Sequence, residues 1–320
     1  MSELWSRLGF LAVALVVYRI GTHIPIPGIN PEQVAALFQQ SQGTILQYFN
    51  LFSGGALERM SIFALSVVPY ISSAIVMQLF SNSVPYLQEL KKDGQAGRNK
   101  ITQYTRYGTV IFALIQSSAL TVTLQTAGLI DAGSIFSAFV AVISIVTGTM
   151  FLMWLGEQIS ERGIGNGISI IIATSIITGV PRAFGQALEQ TQQGDLNYLL
   201  LIVLAVLTLL VVAFVVFVEN AQRKITVNYA QRNQVRGMIQ APSSFLPLKL
   251  NMSGVIPAIF ASTFLLFPAS LSSWFGNIDG LGGLQEFSLY LNPGQPLYIL
   301  LFIILIVSFC YIWLALTFSS

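Results

Sequence analysis

The sequence predicts an all-α integral membrane protein, and three observations carry that prediction. Fifty-four per cent of the 320 residues are hydrophobic and only 9% are charged, against about 25% charged in soluble domains. Residues 198–218 are apolar at every position except Thr208, and at 1.5 Å per residue that run reaches roughly 31 Å, one bilayer core. Lysine and arginine gather in alternate connecting segments, as the positive-inside rule sorts them. A membrane β-barrel would show short alternating segments instead.

Eight spans follow in order, near residues 8–23, 67–84, 106–127, 135–155, 167–187, 197–218, 252–275 and 296–318. The first leads into Pro25-Ile26-Pro27-Gly28 without an A-x-A type cleavage site, so it reads as a retained span rather than a secretory signal. The last run ends directly at Phe318-Ser319-Ser320 with no polar tail, which reads as a cut chain.

Ten of the 15 basic residues lie in two connecting segments: Lys91, Lys92, Arg98, Lys100 and Arg106 in 86–106, and Arg223, Lys224, Arg232, Arg236 and Lys249 in 219–251. Arg7 and Arg162 fall on the same side, while Arg19, Arg59 and Arg182 fit neither loop. The segments 128–134 and 276–295 have no Lys or Arg. Both basic loops and the N-terminus are therefore expected in the cytoplasm. Topology alone explains the charge, but the second loop is also long for a helix–helix link. Its Ile225-Thr226-Val227-Asn228-Tyr229 alternates β-branched and polar residues, which predicts a strand or hairpin arm. A long basic projection suits docking of something acidic, such as RNA or an acidic protein surface.

The segment Ser53–Ser66 is predicted as a half-helix too short to span, with Glu58 and Arg59 inside it. Half a helix cannot face lipid with its end groups unpartnered, so it lies at the interface or in a cavity walled by protein. One reading is an interfacial amphipathic helix closing a loop. The other is a mobile segment that occludes a cavity, hinged at Gly54-Gly55 and packing through Ala56, Met60, Phe63 and Ala64 at helical spacing. Val67 and Ile71, four apart, share a face at the start of the second span; ordinary packing would also explain them. Ser72, Ser73 and Gln78 in the second span, and Ser262 and Thr263 in the seventh, either glue helices or form a weak, separable contact. Glu157 at a span end is expected to pair or cap.

Other chemistry finds little support. One His (His23) and one Cys (Cys310) leave no intrachain disulfide, His/Cys metal cluster or Cys–His pair. Cys310, in an apolar run, reads as a small packing residue. Gly163-Ile164-Gly165-Asn166-Gly167 lacks both a Gly-Lys-Ser/Thr ending and a preceding strand, so it reads as a tight turn and not a phosphate loop. A secondary transporter with discontinuous helices would need ionisable residues deep in several spans, and beyond Arg19 there are almost none. An intramembrane enzyme would need a paired nucleophile or acid–base set, and none is visible.

Several long strings carry a family resemblance: Ile24-Pro25-Ile26-Pro27-Gly28, Leu51-Phe52-Ser53-Gly54-Gly55-Ala56-Leu57, Val68-Pro69-Tyr70-Ile71, Gln103-Tyr104-Thr105-Arg106-Tyr107-Gly108-Thr109 and Trp154-Leu155-Gly156-Glu157-Gln158-Ile159-Ser160-Glu161-Arg162-Gly163. Further on come Val227-Asn228-Tyr229-Ala230, Leu246-Pro247-Leu248-Lys249-Leu250-Asn251 and Gly254-Val255-Ile256-Pro257-Ala258-Ile259-Phe260-Ala261. From about residue 3 to 318 the chain resembles the SecY family, the central subunits of the bacterial protein-conducting channel. The resemblance implies a helical bundle of two inverted halves of five helices, of which about eight spans are present here. Residues 1–190 would be the N-terminal half and 191–320 an incomplete C-terminal half. It implies a passive pore for secretion and membrane insertion of polypeptides in the bacterial inner membrane, multi-pass, with no cofactor and no catalysis. Ser53, Gly54, Gly55, Ala56, Leu57, Met60 and Phe63 would belong to a plug. Val67, Ile71, Ile172 and Ile259 would form an apolar pore ring. Ser72, Gln78, Ser262 and Thr263 would lie at a lateral gate between the second and third spans and the seventh and eighth. The two basic loops would dock the ribosome or the SecA motor. The remaining implied partners are SecE and SecG subunits, signal peptides, nascent chains and membrane lipid.

Overall fold

The computed structural model describes residues 2–29, 33–34, 50, 53–126, 128–130, 135–194, 197–227, 244–254, 257–258, 260–262, 264–265 and 295–318. Its elements in order are α1 (Ser2–Gly21), α2 (Val68–Ser83), α3 (Pro85–Lys92), α4 (Gln95–Thr126), α5 (Ile135–Arg162), α6 (Gly167–Gln193), α7 (Tyr198–Asn220), β1 (Gln222–Val227), β2 (Ser244–Lys249) and α8 (Pro296–Phe318). Among the described residues six helices are long and apolar enough to cross a membrane: α1, α4, α5, α6, α7 and α8. Of the expected seventh span only fragments between residues 257 and 265 are described, and these are helical.

The chain packs as two units, Met1–Ala183 with Ile259–Ile306, and Phe184–Ala258 with Val307–Ser320. In the first, α4 lies along α2 and α5, α3 packs on α2 and α4, and α5 also touches α1 and α2. Small residues allow the close crossings. The Ser73 hydroxyl of α2 donates to the Thr105 carbonyl of α4 at 2.7 Å, and a Cβ on Gly108 would collide with that same hydroxyl. Without a hydrophobic force between helices in lipid, such close backbone approach and interhelical hydrogen bonding hold the bundle. The α5–α6 connection is the tight turn the glycines predict: Asn166 Oδ1 accepts from the Ser169 N–H at 3.2 Å, capping α6, and the Gly167 N–H donates to Ser160 Oγ at 2.8 Å.

One expectation changes here. The segment 86–106 is not a loop. Pro85 opens α3, and Leu87 and Leu90 are buried beneath it. α4 then runs 32 residues, about 48 Å, well beyond one bilayer. Its first turns, with Arg98, Lys100 and Arg106, stand outside the apolar part of the helix. The second span keeps its expected place near 67–84: α2 has 16 residues, about 24 Å.

In the second unit, no α7 residue is buried. A helix apolar on all sides and uncovered by protein suits lipid contact, and Thr208 returns its hydroxyl to the Leu204 carbonyl at 2.8 Å. After α7 the chain forms the hairpin arm that the alternation at 225–229 predicts. β1 and β2 are antiparallel, with Gln222 opposite Lys249, Lys224 opposite Pro247 and Val227 opposite Ser244. That register puts Lys224 and Lys249 on one face and Arg223 on the other. Cys310 is half-buried and receives the Ser253 hydroxyl at 3.5 Å, in keeping with a packing role.

The α2–α4 crossing generates a test. Gly108→Val should place its side chain in the Ser73–Thr105 hydrogen bond and cost about 1–3 kcal/mol as an overpacked contact. Thermal unfolding in detergent should show a lower midpoint than the parent, while Gly9→Val, at a glycine with open space around it, should leave it nearly unchanged.

Candidate functional site

The Ser53–Val67 segment is buried but not helical. It is a succession of turns, closed by short-range bonds such as Met60 N–H to the Leu57 carbonyl at 3.0 Å and Ala64 N–H to the Ser61 carbonyl at 2.9 Å. The predicted half-helix is therefore corrected. Met60 and Ser66 sit at φ 43° and 50°, and Gly54 and Gly55 at φ 65° and 81°. Left-handed residues at four points cannot continue a right-handed helix. The expected burial stands: Ser53, Ala56, Leu57, Met60, Phe63 and Ala64 are all at most 3% exposed.

Protein walls surround this irregular backbone. On one side it is pinned to the stretch after α1: the Ile26 N–H donates to the Met60 carbonyl at 2.9 Å and the Ile62 N–H to the Ile24 carbonyl at 3.1 Å. The Phe63 ring stacks between Tyr18 of α1 and Phe151 of α5, with centroids 6.1 and 5.9 Å away. A Cβ on Gly21 would strike the Phe63 ring, and one on Gly148 the Ile62 carbonyl. On the α6 side, the Tyr18 hydroxyl lies 2.5 Å from Ser175 Oγ and 3.3 Å from the Ser53 carbonyl. The segment thus fills a slot cut for it by small residues on α1, α5 and α6.

Its apolar side chains divide between two clusters. Leu57, Met60, Ala64 and Leu65 pack with Ile26, Ile29, Val34, Leu124, Ile130, Ala141 and Ile145. Ala56 and Phe63 pack with Val67, Leu152, Leu155, Ile159, Ile171 and Ile172, with Ile71 at the edge. Three of the four expected ring residues, Val67, Ile71 and Ile172, therefore meet in one cluster directly against the segment. Ile259 lies outside the described residues.

The charged residues here were not readable as a set from the sequence. Glu58 accepts from Arg182 of α6 through both carboxylate oxygens at 2.7 Å. Asn50 Nδ2 donates to it at 3.1 Å, and Asn50 Oδ1 accepts from its backbone N–H at 3.0 Å. Next along the chain, Arg59 Nη1 donates to His23 Nε2 at 3.0 Å. His23 Nδ1 is 2.9 Å from the Arg19 carbonyl, so the neutral ring carries its proton on Nδ1. Arg19 Nη1 reaches the Gly54 carbonyl at 3.4 Å. The signal in the sequence was that Arg19, Arg59 and Arg182 fit neither basic loop. Burial disfavours the Glu58 charge, but the hydrogen bonds from Arg182 and Asn50 and the charges of Arg182 and Arg59 outweigh it, holding the carboxyl below its ordinary 4.5.

The other expected residues are distributed as follows. Ser72 returns its hydroxyl to the Val68 carbonyl of its own helix at 3.1 Å. Gln78 lies further along α2, Ser262 lies in a helical fragment, and Thr263 is outside the described residues. Lys91, Lys92, Arg98 and Lys100 are exposed on α3 and α4, and Arg223, Lys224 and Lys249 are exposed on the hairpin. Arg232 and Arg236 are outside the described residues. Arg106, expected among the docking residues, forks onto Glu157 of α5 at 2.9 and 2.8 Å, which fulfils the expectation that Glu157 pairs. Arg7 Nη1 reaches the Gly163 carbonyl at 3.5 Å, so these contacts mark one end of the unit.

The Glu58 site generates a pH test. A carboxyl whose folded pKa is depressed contributes stability that is complete above the unfolded value and is lost as pH falls through the folded one. Protection of the Ser53–Val67 segment from an added protease should hold through neutral and mildly acidic pH. It should fall only as the pH drops below the ordinary carboxylate range. Glu58→Gln should remove the acid step.

Comparison with known proteins places this architecture. The SecY family model matches residues 61–320. Over 319 residues the chain is 57% identical to the protein translocase subunit SecY of Pseudomonas aeruginosa, covering 100% of this chain and 72% of that one. It is 54% identical over 323 residues to the subunit of the same name in Escherichia coli K12, covering 100% and 73%. A solved protein-conducting channel is similar at TM-score 0.60 and 18% identity, covering 87% of this chain and 60% of that one. Sec61 of a canine ribosome–channel complex gives 0.59 at the same identity and coverage. So does a SecY protein whose plug domain stabilises the closed state and maintains a membrane seal. The solved channels carry the fold, the translocase relatives carry the family, and the chain belongs to the SecY family of protein translocase subunits.

Proposed function

We propose that this chain lines a path for polypeptides across and into a bacterial inner membrane, and that Ser53–Ser66 is the plug that closes it at rest. One observation carries the reading: an irregular, turn-built segment sits inside a slot of apolar walls made by membrane-length helices. Lipid tolerates such backbone only where protein encloses it or water lines it. A helix would serve better if the segment had only to fill space permanently.

In this reading Val67, Ile71, Ile172 and Ile259 form the ring above which the plug sits. Water leaves a narrow apolar constriction, and an ion then faces a large desolvation barrier. Branched aliphatic side chains seal and can part as their helices separate. Ser72, Gln78, Ser262 and Thr263 lie along the seam where helices part toward lipid, admitting signal peptides. Residues 1–190 and 191–320 belong to the two halves of the bundle. The N-terminus, the α3–α4 corner and the hairpin face the cytoplasm, where Lys91, Lys92, Arg98, Lys100, Arg223, Lys224, Arg232, Arg236 and Lys249 dock a ribosome or the SecA motor. SecE and SecG complete the assembly. The chain makes and breaks no bonds, and its partners supply the energy.

Two measurements test this. Replacing Ile71, Ile172 and Ile259 together by Asn should raise resting ion conductance in single-channel records while protease resistance stays parental. If the three are ordinary core, each unpaired amide costs about 1–3 kcal/mol and misassembly replaces conductance. For orientation, cysteines at Asn99 and Asn233 should resist an impermeant thiol reagent added outside intact cells. Ready labelling of either would reverse the topology.

A further inference from the structure

Glu58 and Arg59 are neighbours in the chain, yet they reach in different directions to different parts of the wall. Glu58 forks onto Arg182 of α6 at 2.7 Å on both oxygens. Arg59 donates to His23, just past the end of α1, at 3.0 Å. Both lie between the left-handed glycines Gly54 and Gly55 and the left-handed Ser66, in the middle of a segment whose ends are turns. We propose that Glu58-Arg59 is a two-armed electrostatic clasp that fastens this segment to α6 and to the stretch just past α1, and sets how readily it leaves its slot.

The chemistry of each arm favours a fastening that is firm but releasable. The Glu58 carboxylate is only 11% exposed, whereas Arg182 is 50% exposed. A forked guanidinium–carboxylate pair is among the stronger hydrogen-bonded contacts, and its exposed partner lets water take over the Arg182 charge when the pair opens. Asn50 holds the Glu58 backbone and side chain together, so the carboxylate is aimed before it meets Arg182. On the other arm the geometry needs neutral His23, with Nε2 accepting from Arg59. Arg19 bonds the Gly54 carbonyl at 3.4 Å, and its charge and that of Arg182 crowd Arg59. Two guanidiniums, Arg182 and Arg59, thus act on the one carboxylate, and Arg19 adds its charge beside Arg59. When Glu58 swings away they repel one another, so opening one arm weakens the other and the segment releases as a unit. The clasp rests on the plug reading for its consequence, but not for its test.

The test reads segment position directly. In native membranes, with Cys310→Ser to remove the other thiol, Ala56→Cys places a probe at a side chain that is fully buried. Its alkylation rate reports how often the segment leaves the slot. Glu58→Gln and Arg182→Gln should each raise that rate about five- to tenfold, and the double variant should match the faster single within about twofold, since both remove the same contact. Arg59→Gln should also raise the rate, and combined with Glu58→Gln it should raise it further. Parental rates in Glu58→Gln, Arg182→Gln or Arg59→Gln, or fully multiplicative effects of Glu58→Gln and Arg182→Gln, would overturn the clasp. Resting conductance is recorded on the same variants. Faster labelling with unchanged conductance would keep the clasp and remove the plug reading.

Discussion

The structure depends on one constraint: backbone N–H and C=O groups have no partner in hydrocarbon. A chain can leave helical geometry at membrane depth only where protein supplies the missing partners. Ser53–Val67 does leave it, and the consequences spread outward. The Ile24 carbonyl and the Ile26 N–H serve its backbone from one side, while Tyr18 and Arg19 serve it from α1. The walls must come close enough to do this, so Gly21 and Gly148 stand where any side chain would intrude. α2 starts only where the turns end, at Val68.

How far the sequence disclosed this varied with the physics involved. Long apolar runs reveal spans because bilayer thickness fixes their length, and α2 and α5 to α8 lie close to their expected places. The hairpin was legible because period-two alternation has few other causes. The half-helix misread has a clear reason. Ala56, Met60, Phe63 and Ala64 do follow helical spacing, but their burial comes from a slot that surrounds the segment, so periodicity carries no conformational information there. The breaks fall at Met60 and Ser66, residues with no strong left-handed preference, and only tertiary contacts place them in that region. The helical course of 86–106 is hidden for a related reason: its basic residues mark topology and are also good helix formers, and charge alone does not tell the two apart.

Charge shows the same division. The exposed lysines and arginines of α3, the start of α4 and the hairpin can be counted into loops. Arg106 cannot, because its partner Glu157 is distant in sequence and only the α4–α5 packing joins them. Likewise Glu58 and Arg182 lie 124 residues apart. Pairing at such separation is invisible to spacing rules. The informative trace was negative: three arginines that fitted no loop.

The same constraint explains why a segment that moves would be built from turns. A helix satisfies its own backbone and can only slide or tilt as a rod. Ser53–Val67 borrows partners from its walls, so it is stable where it sits and has no rigid form elsewhere. Leaving the slot exchanges those hydrogen bonds for bonds to water in the cavity, at a net cost of about 0.5–1.5 kcal/mol each. Leu57, Met60, Phe63 and Leu65 lose more, because each buried apolar side chain of that size is worth roughly 1.5–3 kcal/mol against water. Their burial therefore sets the depth of the resting state. The charged contacts of Glu58 and Arg59 add to that depth.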